Sequence, residues 1–100
     1  MTAWADINPT NYAVAPGEYL VEWICEQRMS RQQVADLLGY TRKRLNDIIL
    51  GRAPVTNDIA IRLERVVGIP ADSWLRYEAA YQADLARITD QEKGPQHDRV

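Results

Sequence analysis

Between residues 30 and 51 the chain reads SRQQVADLLGYTRKRLNDIILG, and few backbone arrangements can accommodate that order of residues. Ser30 is a good helix N-cap, and Gln33 three residues on completes a capping box. Val34, Leu37 and Leu38 then recur at helical spacing and predict a buried stripe. Gly39 follows where a helix can end in a left-handed residue, a conformation costly for other side chains. Thr41 caps a second helix, with Leu45, Ile48 and Ile49 on its inward face and Gly51 at its end. The spacing therefore predicts two short helices joined by a tight glycine turn. Ala35 stands where their close approach needs a small side chain.

The offsets are specific. Counted from Arg31 as position one, Val34, Leu38, Leu45 and Ile48 take the apolar places, Ala35 the fifth and Gly39 the ninth. This is the layout of a helix-turn-helix, whose second helix enters a DNA major groove. That second helix opens with three cations, Arg42, Lys43 and Arg44, and carries Asn46 and Asp47 away from its inward face. Arginine can donate twice to guanine, asparagine can pair with adenine, and Asp47 can accept from a cytosine amino group or orient a neighbouring arginine. Arg42, Lys43, Arg44, Asn46 and Asp47 are thus the candidate base contacts. Arg31 and Gln32, at the start of the preceding helix, are candidate phosphate contacts, joined by Thr41 and Arg52.

Helices are also predicted on both sides. One begins near Pro16-Gly17-Glu18, with Leu20, Trp23 and Ile24 inward, Cys25 as a small packing residue, and Glu18, Glu22 and Glu26 as an acidic ridge. Thr56 caps a fourth, with Ile59, Leu63, Val66 and Val67 as core positions and Gly68 at its end. Arg62 and Arg65 in that helix read as ion-pairing partners for Asp58 and Glu64. Ile69-Pro70 leads into a fifth, where Trp74 and Leu75 finish the core. Trp74, Tyr77, Tyr81 and Leu85 form an apolar stripe larger than so small a core can cover, which predicts a dimer interface.

The organisation expected is an extended N-terminal arm over 1–15, a helix-turn-helix domain with a C-terminal dimerisation helix over 16–88, and a disordered tail over 89–100. Trp4, Ile7 and Tyr12 in the arm either cover the domain's own core or dock on a partner.

A net charge of −2 at first argues against nucleic acid, but the charges are segregated. Residues 1–27 carry Asp6, Glu18, Glu22 and Glu26 and no cation. Residues 28–52 carry six arginines and lysines against Asp36 and Asp47. Local charge at the contact face governs phosphate binding. The acidic first part suits a basic partner protein. No apolar run approaches the ~20 residues of a membrane span, and no signal peptide is visible. A single cysteine fits a cytoplasmic protein. His97 stands alone, and no paired His/Cys set, HExxH or glycine-rich phosphate loop occurs. The expectation is a binding protein, not an enzyme, with no cofactor and no metal.

The chain resembles the Xre/Cro-type helix-turn-helix family, and within it the HigA-type antitoxins, from Pro16 to Leu85. Four groups of residues carry the resemblance: Pro16-Gly17-Glu18; the turn Leu38-Gly39-Tyr40-Thr41-Arg42; Val55-Thr56 with Asp58 to Leu63; and Trp74-Leu75 with Tyr81, Asp84 and Leu85. It implies an all-α, five-helix, lambda-repressor-like domain. It also implies a homodimer that binds a palindromic operator in double-stranded DNA and neutralises a HigB-like mRNA endonuclease, a small basic RNase. The candidate toxin-binding residues are Trp4, Ile7, Tyr12, Glu18, Glu22 and Glu26. Arg31 stands where the wider family often has glutamine, and the arm and tail depart from the family pattern. Two other readings remain: a stand-alone, prophage-type regulator without a toxin, and a module whose basic helix binds an acidic protein surface.

Overall fold

A computed structural model describes residues 13–93 of the chain. Its described residues form five helices and no strand: α1 (Gly17–Gln27), α2 (Arg31–Leu38), α3 (Arg42–Ile49), α4 (Asn57–Val67) and α5 (Ala71–Lys93).

Local hydrogen bonds set most of these boundaries. The Ser30 hydroxyl accepts from the Gln33 N–H at 3.0 Å while the Gln33 side chain accepts from the Ser30 N–H at 2.8 Å, so the capping box of α2 is complete. The hydroxyls of Thr41 and Thr56 accept from the N–H groups of Arg44 and Ile59 and cap α3 and α4. Gly39, with φ +78°, closes α2, and the Tyr40 N–H reaches back to the Ala35 carbonyl at 2.9 Å. Arg62 pairs with Asp58 at 3.4 Å, as expected of this helix, while Glu64 accepts from the Ala71 N–H at 2.9 Å and steadies the start of α5.

One core joins all five helices. Leu20 and Ile24 from α1, Val34 and Leu38 from α2, Leu45 and Ile48 from α3, Ile59 and Leu63 from α4 and Trp74 from α5 are buried together. α3 packs on both α1 and α2, and the first part of α5 lies along α4. The pair α2–α3 is thereby clasped from behind, with its N-terminal cations left outside.

Four expectations are corrected. Leu37 is 57% exposed, because the buried positions of α2 are 34, 35 and 38, and at 3.6 residues per turn position 37 falls about a quarter-turn from their centre. Cys25 is exposed and packs no core. Trp74 is 0% exposed and so belongs wholly to the core, not to a dimer face. Finally, α5 continues to Lys93, beyond the predicted end at 88. Thr89 to Lys93 contains no helix breaker, and Gln91, Glu92 and Lys93 are good helix formers. Trp4, Ile7 and Tyr12, with the arm over 1–12 and the tail over 94–100, lie outside the described residues.

Candidate nucleic-acid interface

The first turn of α3 carries Arg42, Lys43 and Arg44, all exposed, on a helix whose opposite side is anchored by Leu45, Ile48 and Ile49. Anchoring at positions 45, 48 and 49 leaves 43 and 47 on the outer arc of the helix, with 42, 44 and 46 on its flanks. Arg42 makes no hydrogen bond or ion pair with the described residues, so its guanidinium is available to a ligand.

Two nearby cations share Asp47. Lys43 Nζ lies 3.3 Å from Asp47 Oδ2, and Arg52 Nη1 lies 3.6 Å from Asp47 Oδ1. Asp47 is 24% exposed in its side chain and also accepts, through its backbone carbonyl, from the N–H groups of Arg52 and Ala53. It therefore ties the end of α3 to the connector that follows. Of the two roles expected for Asp47, reading cytosine or orienting a neighbouring arginine, the geometry matches the second: both carboxylate oxygens are engaged, one by Lys43 and one by Arg52.

Arg31, expected on phosphate, donates from Nη1 to Asn46 Oδ1 at 3.1 Å. This bond ties the first turn of α2 to the outer face of α3 and leaves the Asn46 amide N–H groups free to donate. Gln32 donates to Asp36 at 2.9 Å on the exposed side of α2. The Thr41 hydroxyl oxygen accepts the capping bond of α3, which leaves its O–H to donate to a phosphate.

An open groove of about 640 Å³ separates α3 from the start of α4 and is lined by Tyr40, Thr41, Lys43, Arg44, Asp47 and Thr56 among others. Arg44 crosses its wall with its guanidinium carbon 4.8 Å from the Tyr40 ring centre. Arg62, read as a simple ion-pair partner, is placed at the same ring, 5.2 Å away, where it also donates to the Leu38 carbonyl at 2.9 Å. That arrangement joins residues 22 positions apart, and no sequence spacing announces it.

The candidate dimer residues separate into two groups. Tyr77 stacks on Tyr19 at 4.3 Å and meets Trp74 edge-on at 5.7 Å, so it is spent, like Trp74, on packing α5 to the rest of the fold. Tyr81 lines a second groove of about 480 Å³ with Val21, Ile49, Leu50 and the acidic Glu18 and Glu22. Leu85 is 36% exposed. Glu18, Glu22 and Glu26 are all exposed along α1, as the ridge requires.

The sequence matches the Helix-turn-helix family over residues 20–74, which spans α2 and α3 together with most of α1 and all of α4. The chain belongs to this family. Its helix-turn-helix domain is 35% identical, over 75 residues, to Virulence-associated protein I of Dichelobacter nodosus, a match covering 74% of this chain and 69% of that protein. Among solved structures it is similar to an addiction module antidote protein of the HigA family from Coxiella burnetii, with 28% identity and a TM-score of 0.71 over 87% of this chain and 92% of the other. It is also similar to the Pseudomonas aeruginosa antitoxin HigA solved with the higBA promoter, at 26% identity and a TM-score of 0.74 over 85% of this chain and 94% of that one. A further Pseudomonas aeruginosa protein, solved with its operator DNA, matches at 29% identity and a TM-score of 0.69 over 75% and 82% of the two chains. The helix-turn-helix resemblance and the all-α architecture expected from the residues agree with these matches. No helix among the described residues is long and apolar enough to cross a membrane, and none of them cluster as a metal site.

Proposed function

We propose that the chain is a sequence-specific DNA-binding repressor and the antitoxin of a toxin–antitoxin pair, neutralising a HigB-like mRNA endonuclease and repressing its own operon. The observation that carries the DNA half is the exposed Arg42-Lys43-Arg44 opening of a capped helix in a helix-turn-helix domain. Similarity to HigA antitoxins, one of them solved with its promoter, supports the other half. In this reading Arg42, Lys43, Arg44 and Asn46 face the bases, with Asp47 orienting Lys43 and Arg52. Arg31, Gln32, Thr41 and Arg52 then hold phosphates. The role is binding, in the cytoplasm, and no reaction is catalysed.

A homodimer would set two copies of α3 into half-sites about one helical turn, roughly 34 Å, apart. Tyr81, which shares a groove with the exposed Leu50, and Leu85, one turn further along α5, offer the apolar surface for it. The Glu18, Glu22 and Glu26 ridge suits a basic toxin by charge complementarity.

Two experiments test this function. Footprinting on the region upstream of the gene should protect two half-sites, and protection of a single half-site would refute the dimer. Co-expression with the adjacent open reading frame should relieve that neighbour's toxicity and co-purify the two proteins. If the neighbour is neither toxic alone nor co-purified, the chain is a stand-alone regulator.

A further inference from the structure

We infer that Tyr40 is a positioning residue for the DNA interface, its ring holding Arg44 in place before DNA arrives. The backbone of Tyr40 is fixed by the end of α2: Gly39 takes the left-handed turn and the Tyr40 N–H bonds to the Ala35 carbonyl at 2.9 Å. The phenol oxygen is buried and has no hydrogen-bond partner among the described residues, so this position uses the ring and not the hydroxyl. Both guanidinium groups at that ring are within the range of cation–π attraction, Arg44 at 4.8 Å and Arg62 at 5.2 Å.

The two arginines differ in what else they do. Arg62 donates to the Leu38 carbonyl and pairs with Asp58 at 3.4 Å, so it is tied to both α2 and α4. Arg44 is exposed and its side chain makes no hydrogen bond or ion pair with the described residues; the Tyr40 ring is what restrains it. A guanidinium resting on a ring keeps its N–H donors for a ligand, because they lie in its own plane. Arg62 and Tyr40 thus form a fixed base on which a long, otherwise free side chain is ordered, and ordering it in advance lowers the entropy lost on binding. The inference rests on the proposed role of Arg44 as a DNA contact.

The test uses the full chain and two duplexes of equal length, one from the region upstream of the gene and one scrambled. Tyr40→Leu should weaken binding to the upstream duplex about fivefold and change scrambled binding less than about twofold, the size expected for one immobilised side chain. Tyr40→Phe should bind as the wild type does. On an Arg44→Ala background, Tyr40→Leu should have no further effect. NMR of the DNA-free protein supplies a readout independent of operator binding and of whether Tyr40→Leu folds. The Arg44 δ-methylene protons should be shifted upfield by the ring in the wild type and in Tyr40→Phe.

An unshifted Arg44 in the DNA-free wild type overturns the inference whatever the DNA does. An additional loss on the Arg44→Ala background equal to that in the wild type overturns it too, since Tyr40 then acts through the fold. A normal ring shift with Arg44→Ala binding like the wild type locates the failure in the DNA role of Arg44, and the positioning role falls with it.

Discussion

Gly17, the first residue of α1, packs so closely on the backbone of Ile49, the last residue of α3, that a Cβ at position 17 would collide with it. The helix offered to DNA is therefore braced at its C-terminal end by the helix that opens the domain. Gly17→Ala must push the two apart. Overpacking of this kind costs about 1–3 kcal/mol, and thermal unfolding should show a midpoint at least about 4 °C lower. A midpoint within about 1 °C of the wild type would mean that α1 yields without strain.

The distinction between Trp74 and Leu85 predicts opposite outcomes along one helix. Trp74→Ala should cost about 3–5 kcal/mol in denaturant unfolding, as expected for a fully buried large aromatic. Leu85→Asp should retain the helical circular dichroism of the wild type and, on the proposed homodimer, shift sedimentation from dimer to monomer. A Leu85→Asp protein that still sediments as a dimer would move the interface elsewhere.

Asp47→Asn should release Lys43 and Arg52 from their shared carboxylate. Because both cations are largely exposed, stability should change by no more than about 1 kcal/mol. Binding to scrambled DNA should strengthen instead, and its salt dependence should steepen by up to about one unit in the log–log slope. If the slope is unchanged and operator binding alone is lost, Asp47 reads a base directly.

Arg42→Ala and Arg52→Ala should fail differently. Arg42 has no partner among the described residues, and its removal should cost about 1–3 kcal/mol on the operator and relax preference at one base pair. Removing Arg52, beyond the end of α3, should weaken all sequences about equally and lower the salt slope by roughly one. Measuring both duplexes at several salt concentrations separates the two patterns; equal losses on operator and scrambled DNA for Arg42→Ala would remove it from base reading.

Much of this architecture is written in short-range pattern. Ser30 with Gln33, Thr41, Thr56, Gly39 and Gly68 announce helix ends because each satisfies or closes backbone groups within a few residues of itself. Leu20, Val34, Leu38, Leu45, Ile48, Ile59 and Leu63 announce the core because burial repeats with the helical period. The exposure of Lys43 follows from the same period, since it stands opposite the inward face of α3, and Arg42 and Arg44 flank it in the first turn.

Other features depend on which helix lies opposite. The apolar stripe of α5 identifies its residues but not their destinations: Trp74 goes into the core, Tyr77 against Tyr19, and Leu85 toward solvent. The pairing of Arg31 with Asn46, the sharing of Tyr40 by Arg44 and Arg62, and the contact of Gly17 with Ile49 join residues 15, 22 and 32 positions apart along the chain. The sequence alone determined where helices begin, where they end and which faces are apolar, because those are properties of one segment and its own hydrogen bonds. Only the tertiary structure decided how the cations of α2 and α3 are held, because their restraint comes from side chains that meet when separate helices pack.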